Sequence, residues 1–263
     1  MPDTSPREPA GPGGLRVIRR EPMADGPAAG RLVVCVHGAM DRATSFTRLM
    51  TKLPDWTVVA YDRRGYGHSA HLGPPETFDQ QVEDLLSVLD DQPAVAFGHS
   101  LGGDVVLATA SRHPGLITAA VVWEPPQPWL SWWPSESAAR AAGSELEPEE
   151  RAEWFMRRMV GDRIWERLPP ATREQRRSEG PTLSADIGLL SRAAVFDPHR
   201  IRIPVIVGRG GDSRPHQRRS ARELAASLPH GQLAEIDGCG HGAHLSHPGE
   251  VAALLARVAA LTC

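Results

Sequence analysis

Short apolar runs alternate with amphipathic segments along most of the chain. Continuous apolar runs of this length are typical of buried strands, whereas apolar residues spaced three and four apart indicate a helix with one buried face. The runs predict strands at 15–18, 31–36, 56–61, 93–97, 118–123, 203–207 and 232–236. The amphipathic segments predict helices at 45–53, 78–90, 103–110, 148–160, 218–228 and 248–261. Strands that alternate with helices in this way predict an α/β fold with a mostly parallel, doubly wound sheet.

The alternation stops between residues 125 and 197. This stretch has helical segments broken by Pro and Gly, and it has no run that predicts a buried strand. We therefore predict a helical cap at 125–197, inserted between two strands of a core formed by 15–124 and 198–263. Residues 1–14 are rich in Pro and Gly and lack an apolar stretch, which predicts a disordered leader rather than a secretory signal.

Composition and charge limit the kinds of molecule that the protein is expected to bind. A chain of 263 residues is long enough for one α/β domain with an insertion. The formal net charge of −3 gives no electrostatic reason to expect nucleic acid or an anionic membrane as a partner, and no apolar stretch approaches membrane-spanning length. Three cysteines make a disulfide framework unexpected, which favours the reducing cytoplasm. We expect a small-molecule substrate, and the sequence does not indicate an oligomeric state.

A Gly-x-Ser-x-Gly pattern, from Gly98 to Gly102, lies between the predicted strand 93–97 and the predicted helix 103–110. A sharp strand-to-helix turn holds the Ser100 hydroxyl out of the sheet, beside the positive end of the helix. Only glycine leaves room for the neighbouring backbone to pass so closely. The stretch resembles the nucleophile elbow of the α/β-hydrolase superfamily, and an ordinary glycine-rich turn is the alternative.

A serine hydroxyl needs a base within hydrogen-bond reach to act as a nucleophile. His241 follows the last predicted strand and therefore lies at the carboxyl edge of the sheet, where doubly wound folds bind ligands. Its flanking glycines resemble the histidine loop of the same superfamily. His244 and His247 continue a three-residue spacing, but a His-Glu-x-x-His pattern and an evident carboxylate ligand are missing. We predict that both pack within the loop, and we expect no metal and no cofactor.

Two carboxylates are candidates for the acid that orients His241. Asp212 follows the predicted strand 203–207, which is the usual place of the acid in the superfamily. Glu124 ends the strand before the cap, a position that some relatives use instead. A carboxylate directly after an apolar strand is expected to be desolvated and therefore to need a partner. We favour Asp212 on the resemblance rather than on the local chemistry, and we keep Glu124 as the alternative acid.

The resemblance also implies an oxyanion hole formed by two backbone N–H groups. Leu101 directly follows the predicted nucleophile and is expected to provide one of them. The loop after the predicted strand 31–36 begins His-Gly-Ala-Met and resembles the oxyanion loop of the superfamily. We predict that Ala39 provides the second N–H group, with Met40 as the alternative.

Tryptophans are concentrated at and after the start of the predicted cap. Six of the seven lie between residues 123 and 165. Aromatic side chains line pockets for apolar ligands, and they also anchor small helical insertions. The run with Trp129, Trp132 and Trp133 is the candidate substrate pocket, and it favours an uncharged or aromatic acyl or ester substrate.

The resemblance implies a serine hydrolase that cleaves a carboxylic ester, or a related acyl bond, through a Ser-His-Asp/Glu triad and an acyl-enzyme. The same residues also serve lyases, carbon–carbon bond hydrolases, acyltransferases and perhydrolases. A ligand-binding module without turnover is the remaining alternative. The fold by itself does not choose among these activities.

Overall fold

A computed structural model of the chain describes residues 11–23, 31–135, 137 and 146–262. In these residues seven strands form one sheet, in the spatial order β1-β3-β2-β4-β5-β6-β7. The strands are β1 (Val17–Arg20), β2 (Leu32–Val36), β3 (Thr57–Tyr61), β4 (Ala94–His99), β5 (Ile117–Trp123), β6 (Val205–Gly210) and β7 (Gly231–Ile236). Only the β1–β3 pairing is antiparallel, and the other pairings in this sheet are parallel.

Helices connect the strands and cover the sheet. Within the described residues they are α1 (Thr47–Met50), α2 (Phe78–Leu89), α3 (Leu101–Arg112), α4 (Pro148–Val160), α5 (Asp162–Arg167), α6 (Pro170–Ser178), α7 (Gly180–Arg192), α8 (Pro215–Ser227), α9 (Ala243–Ser246) and α10 (Pro248–Ala259). None of these helices is both long and apolar enough to span a membrane.

The predicted helix 45–53 differs from the structure, which has a 3-10 turn at Ala43–Phe46 followed by the single helical turn α1. Hydroxyl groups explain the difference. The side chains of Ser45, Thr47 and Thr51 each donate to the carbonyl three residues earlier, at 2.8, 3.0 and 2.7 Å. Such local bonds compete with a regular α-helical ladder and favour tighter turns.

The central strands of the sheet are buried on both faces. Val34 and Val36 of β2 join one apolar cluster with α2, α3 and α8, whereas Val33 and Cys35 join a second cluster with α1 and α10. Successive residues of a strand point to opposite faces, so a strand covered by helices on both sides needs a continuous apolar run. This arrangement confirms the predicted α/β class with a mostly parallel, doubly wound sheet.

Between β5 and β6 the structure describes the helices α4 to α7 and, in residues 146–197, no strand. We call the segment 125–197 the insertion; residues 136 and 138–145 of it lie outside the described residues. A third apolar cluster joins the insertion to the core, and its members include Met40, Tyr66, Phe155, Trp165 and Leu183. Of the predicted leader, residues 1–10 lie outside the described residues, and Pro12–Gly14 forms a 3-10 turn.

A buried ion pair also fastens the insertion to the core. Arg63 follows β3 and Asp186 lies on α7, and both side chains are fully buried. The Arg63 Nη2 atom lies 2.5 Å from Asp186 Oδ2. The Tyr66 hydroxyl and the Gln81 amide also donate to this carboxylate, at 2.8 and 2.7 Å. Every oxygen of the Asp186 carboxylate is therefore hydrogen-bonded to the core.

A second set of contacts lies at the junction of α6 and α7. Arg42 Nη2 lies 2.5 Å from Glu179 Oε1, which also accepts the Gly67 N–H at 2.9 Å. From α6, Arg176 Nη1 donates to the Met40 carbonyl at 2.7 Å. Charged groups thus hold α6 and α7 against the loops that follow β2 and β3.

The substitution Asp186→Asn is expected to lower the free energy of unfolding by about 3–5 kcal/mol, because it leaves the Arg63 guanidinium buried without its counter-charge. Urea denaturation measures the change. Glu223→Gln, which breaks the exposed Arg219–Glu223 pair on α8, is the control and is expected to cost less than about 1 kcal/mol. Equal losses in the two variants would contradict a structural role for the buried pair.

Candidate active site

Ser100 lies in a strained turn between the end of β4 and the start of α3. Its backbone has φ +53° and ψ −129°, a conformation that non-glycine residues rarely adopt. Two hydrogen bonds hold the turn: the Ser100 N–H donates to the Trp123 carbonyl at 2.8 Å, and the Gly103 N–H donates to the Ser100 carbonyl at 2.7 Å. The predicted strand–turn–helix geometry around this serine is therefore present.

Close backbone packing explains two glycines near this turn. A Cβ atom on Gly102 would lie 2.1 Å from the Val36 carbonyl oxygen, so α3 can approach β2 only without a side chain there. A Cβ atom on Gly38 would lie 2.9 Å from the Ser100 Cβ atom. The loop after β2 therefore passes directly beside Ser100.

His241 lies in the loop between β7 and α9, and its Nδ1 atom lies 2.8 Å from Glu124 Oε2. The Glu124 side chain is fully buried, and its other oxygen accepts the Gly210 N–H at 2.9 Å. Burial raises the pKa of Glu124, but the hydrogen bond and charge of His241 and the Gly210 N–H more than offset it, so the pKa lies below its usual value. An ionised Glu124 keeps a proton on Nδ1 and leaves Nε2 as the basic nitrogen.

This geometry corrects the preference for Asp212 as the partner of His241. Asp212 is exposed on the loop after β6, and its backbone N–H donates to the Cys239 carbonyl at 2.9 Å. Glu124 has φ +48°, and its carboxylate reaches the end of the neighbouring strand β6 and the imidazole beyond it. The carboxylate in contact with His241 is therefore that of Glu124.

Sequence reasoning missed one neighbour of this pair. The side-chain amide of Gln217, on α8, lies 3.0 Å from His241 Nδ1, and its Oε1 atom accepts the Arg214 N–H at 3.1 Å. In the sequence, nothing distinguishes Gln217 from the other polar residues of its amphipathic helix. Only the position of α8 beside the loop after β7 brings it to the imidazole.

A cavity of about 210 Å³ joins these groups, and both Ser100 and His241 line it. Its apolar lining includes Pro126, Trp133, Phe155, Met159, Ile187 and Leu190. The polar groups around it include Arg158, Asp212, Arg214, His216 and Gln217. The site thus combines a serine, an imidazole–carboxylate pair and a small amphipathic cavity.

The predicted oxyanion residues differ in their relation to this cavity. Ala39 and Leu101 line it together with Ser100. The Met40 side chain instead packs in the third apolar cluster, and the Met40 carbonyl accepts the bond from Arg176. Among the described residues of this loop, Ala39 is the one that lines the cavity.

Of the three tryptophans predicted to form the pocket, the structure places only Trp133 among the described lining residues. Trp129 packs edge-on against Phe196, with ring centroids 5.6 Å apart. Trp132 lies under the guanidinium of Arg219, which is 4.0 Å from the ring centroid. The predicted pocket is therefore corrected at Trp129 and Trp132, which pack against other parts of the chain.

Two helices supply cavity residues that the sequence did not single out. Helix α4 presents Phe155, Arg158 and Met159, which occupy one face at helical spacing. Helix α7 presents Ile187 and Leu190. Periodicity predicts such faces, but it does not tell which of them borders a cavity and which borders the core.

A group of possible metal ligands lies next to His241 and consists of Asp41, His99 and His244. The Asp41 Oδ2 atom lies 3.5 Å from His244 Nε2 and 4.0 Å from His99 Nδ1. We interpret the group as a contact between an aspartate and two histidines that packs the loops together. The expectation that the chain binds no metal stays a prediction.

A parallel sheet with a serine on a strand–turn–helix elbow, and an imidazole–carboxylate pair at its carboxyl edge, is the arrangement of the α/β hydrolases. The model of the alpha/beta hydrolase family matches residues 33–254, and the chain belongs to this family.

Individual relatives share only about a third of their residues with this chain over the matched stretches. A candidate carbamate hydrolase of Caulobacter segnis is 32% identical over 114 residues, which is 40% of this chain and 43% of the relative. A serine hydrolase-like protein of Danio rerio is 35% identical over 103 residues, or 37% of this chain and 32% of the relative. The matches thus span less than half of either relative. The solved enol-lactonase of Burkholderia xenovorans has the same fold, with a TM-score of 0.69 at 19% identity, covering 95% of this chain and 98% of the enol-lactonase chain.

Proposed function

We propose that this protein is a serine hydrolase that cleaves a carboxylic ester, or a related acyl bond, of a small substrate. One observation carries the proposal: Ser100, in its strained elbow, lines the same cavity as His241, whose Nδ1 is bonded to the buried Glu124 carboxylate. The names of two relatives, a candidate carbamate hydrolase and an enol-lactonase, also describe hydrolysis at an acyl carbon.

The chemistry follows from the proton positions in this arrangement. Glu124 holds the Nδ1 proton of His241, so Nε2 takes the proton of the Ser100 hydroxyl as its oxygen attacks the carbonyl carbon. The N–H groups of Leu101 and Ala39 stabilise the oxyanion that forms. His241 then protonates the leaving group, and the acyl group stays on Ser100. Water, activated by His241, hydrolyses this acyl-enzyme and restores the free serine.

Covalent labelling and an ester screen test this function together. A fluorophosphonate is expected to label the native protein at Ser100 and not the heat-denatured protein, because only the folded site activates the hydroxyl. p-Nitrophenyl esters of rising acyl length are expected to be hydrolysed. Labelling without turnover of any aryl ester would favour lyase or carbon–carbon bond chemistry. If the native protein is neither labelled nor able to hydrolyse any of these esters, a ligand-binding module without turnover is the remaining alternative.

The substitution Trp133→Ala is expected to raise KM for a bulky acyl ester about tenfold and to change KM for the acetate ester little, because it removes apolar contact worth about 1–3 kcal/mol. Steady-state kinetics with p-nitrophenyl octanoate and acetate measure the split. Trp129→Ala is the control, since this indole packs against Phe196 outside the cavity lining. An equal rise for both esters, or a matching rise in the control, would contradict the assignment of Trp133 to the substrate wall.

A further inference from the structure

His99, the last residue of β4, joins the strand that leads to Ser100 directly to the loop that carries His241. Its Nε2 atom lies 3.0 Å from the His241 carbonyl oxygen, although the two residues are 142 positions apart in the sequence. The proposed chemistry uses Ser100 and the His241 ring, but it gives no task to this bond. His99 is buried, and a buried polar side chain beside both groups of the site has a contact that needs an explanation.

The direction of this bond follows from the protonation of the His99 ring. Burial and the neighbouring imidazoles of His244 and His241 lower the pKa of His99 well below its usual value, and the carboxylate of Asp41 only partly opposes them. The ring is therefore neutral at pH 7 and has a single N–H group. A carbonyl oxygen can only accept, so the proton lies on Nε2 and His99 donates it to the His241 backbone.

Neighbouring groups hold the His99 ring in place. Its centroid lies 4.7 Å from that of the His241 ring and 4.3 Å from that of the His244 ring. A Cβ atom on Gly38 would lie 3.2 Å from His99 Nδ1, so the loop after β2 passes close to the other nitrogen of the ring. His99 therefore contacts the loops after β2 and β7 at the same time, and it directly precedes the turn of Ser100.

The backbone of the His241 loop gains little restraint from its flanking glycines. A Cβ atom on Gly240 or Gly242 would come no closer than 3.8 Å to the described residues beyond its chain neighbours, so neither position is closely packed. Glycine also gives the backbone more freedom than any other residue. The bond from Glu124 holds the His241 ring through Nδ1, whereas the bond from His99 holds the backbone that carries the ring. Together the two bonds fix both parts of one residue.

We propose that His99 is a positioning residue of the proposed hydrolase. Its Nε2–H group fixes the backbone of His241, so that the imidazole meets Glu124 through Nδ1 and Ser100 through Nε2. This inference rests on the proposed function and deepens it. His99 is not among the described residues that line the cavity, so its effect is on the orientation of the base and not on contact with the substrate. A shift of about 1 Å in the position of a catalytic group costs about 100-fold in rate, so one backbone bond at the base is enough to matter.

Two substitutions of His99 that differ in their donor group test the proposal. The amide nitrogen of His99→Gln can take the place of Nε2 and donate to the same carbonyl, whereas His99→Leu is of similar size and has no donor. With p-nitrophenyl hexanoate, His99→Leu is expected to lower kcat by about 10–100-fold and to leave KM within about threefold. His99→Gln is expected to keep kcat within about threefold of the wild type. If thermal melting shows that His99→Leu does not fold, His99→Asn replaces it, because its shorter amide does not reach the carbonyl.

His113→Leu is the matched control, because it removes an imidazole from the position directly after α3, outside the described lining of the cavity. It is expected to keep both kcat and KM. Unchanged kcat in His99→Leu, or equal losses in His99→Leu and His99→Gln, would overturn the positioning role, while turnover by the wild type still supports the hydrolase. A rise in KM at unchanged kcat would also overturn it, because it would place His99 in substrate binding.

The protonation of the His241 ring gives a second measurement, which does not need turnover. Long-range proton–nitrogen NMR correlations through the carbon-bound ring protons show which nitrogen carries the proton, and the His241 signals are assigned from their loss in His241→Gln. The wild type and His99→Gln are expected to carry the proton on Nδ1. His99→Leu is expected to show both tautomers, because the ring no longer stays bonded to Glu124.

These spectra decide the question if the wild type hydrolyses no ester, in which case the proposed function fails separately. A change of the His241 signals in His99→Leu that is absent from His99→Gln supports the positioning role. The same His241 signals in all three proteins, or the same change in both variants, would overturn it.

Discussion

Replacement of Ser100 by alanine is expected to prevent fluorophosphonate labelling and to lower kcat/KM for p-nitrophenyl hexanoate by at least about four orders of magnitude. The reason is that no acyl-enzyme can form without the hydroxyl, and the remaining groups of the site only bind the ester and its oxyanion. Steady-state kinetics and labelling followed by peptide mapping measure the two losses. Thermal melting shows whether the variant keeps its fold.

Ser137→Ala is the control for this variant, because Ser137 also lines the cavity and carries a hydroxyl. It is expected to keep labelling and to keep turnover within about tenfold, because its hydroxyl only accepts the Trp133 indole N–H, at 2.8 Å. Turnover by Ser100→Ala within about tenfold of the wild type would remove Ser100 as the nucleophile, since loss of a true nucleophile costs far more than tenfold. Equal losses in the two variants would point to damage to the cavity rather than to the chemistry.

Glu124→Gln is expected to lower kcat by about four orders of magnitude with little change in KM, as for loss of the acid in the Ser-His-Asp template. The glutamine has nearly the same shape, but it is neutral and its amide can donate to Nδ1, which favours the wrong tautomer of His241. It also withdraws the negative charge that stabilises the imidazolium. The separate measurement of kcat and KM distinguishes this effect from a loss of substrate binding.

Asp212→Asn provides the comparison, and it is expected to keep kcat within about threefold, because its exposed carboxylate is not bonded to His241. A nearly complete loss in Asp212→Asn with an active Glu124→Gln would reverse the assignment of the acid. Partial losses in both variants, and a full loss only in the double variant, would mean that either carboxylate can orient the imidazole.

The central strands were predictable because they obey one local rule. A parallel strand covered on both faces needs a continuous apolar run, and the run 31–36 became β2 at Leu32–Val36 while 118–123 became β5 at Ile117–Trp123. The turn around Ser100 was predictable from the spacing of its glycines, even though Gly102 is required by the close approach of α3 to the distant strand β2. Such local patterns do not tell which distant side chains meet.

The choice between Glu124 and Asp212 shows that limit. It depends on which strands are neighbours in the sheet and on a positive φ at Glu124, and no sequence motif encodes either of them. The local argument, that a carboxylate directly after an apolar strand needs a partner, pointed to Glu124. The resemblance pointed to Asp212. The buried contact with His241 agrees with the desolvation argument.

The cavity itself was the least predictable part. Three tryptophans that are close together in sequence have different surroundings, because each of them packs against a different part of the chain. Trp133 meets the cavity, Trp129 meets Phe196 and Trp132 meets Arg219. The residues that complete the cavity wall come from α4 and α7, whose apolar faces look in the sequence like any other core-facing stripe.

The buried pair of Arg63 and Asp186 has a consequence for how substrates are sized. Lifting α7 away from the sheet would separate two fully buried charges and would also break the bond between Arg42 and Glu179. Separating such partners costs several kcal/mol, so we expect α6 and α7 to keep their place when a ligand enters the cavity. Ile187 and Leu190 of α7 then form a fixed part of the lining, and a long acyl chain has to project out of the cavity rather than displace them.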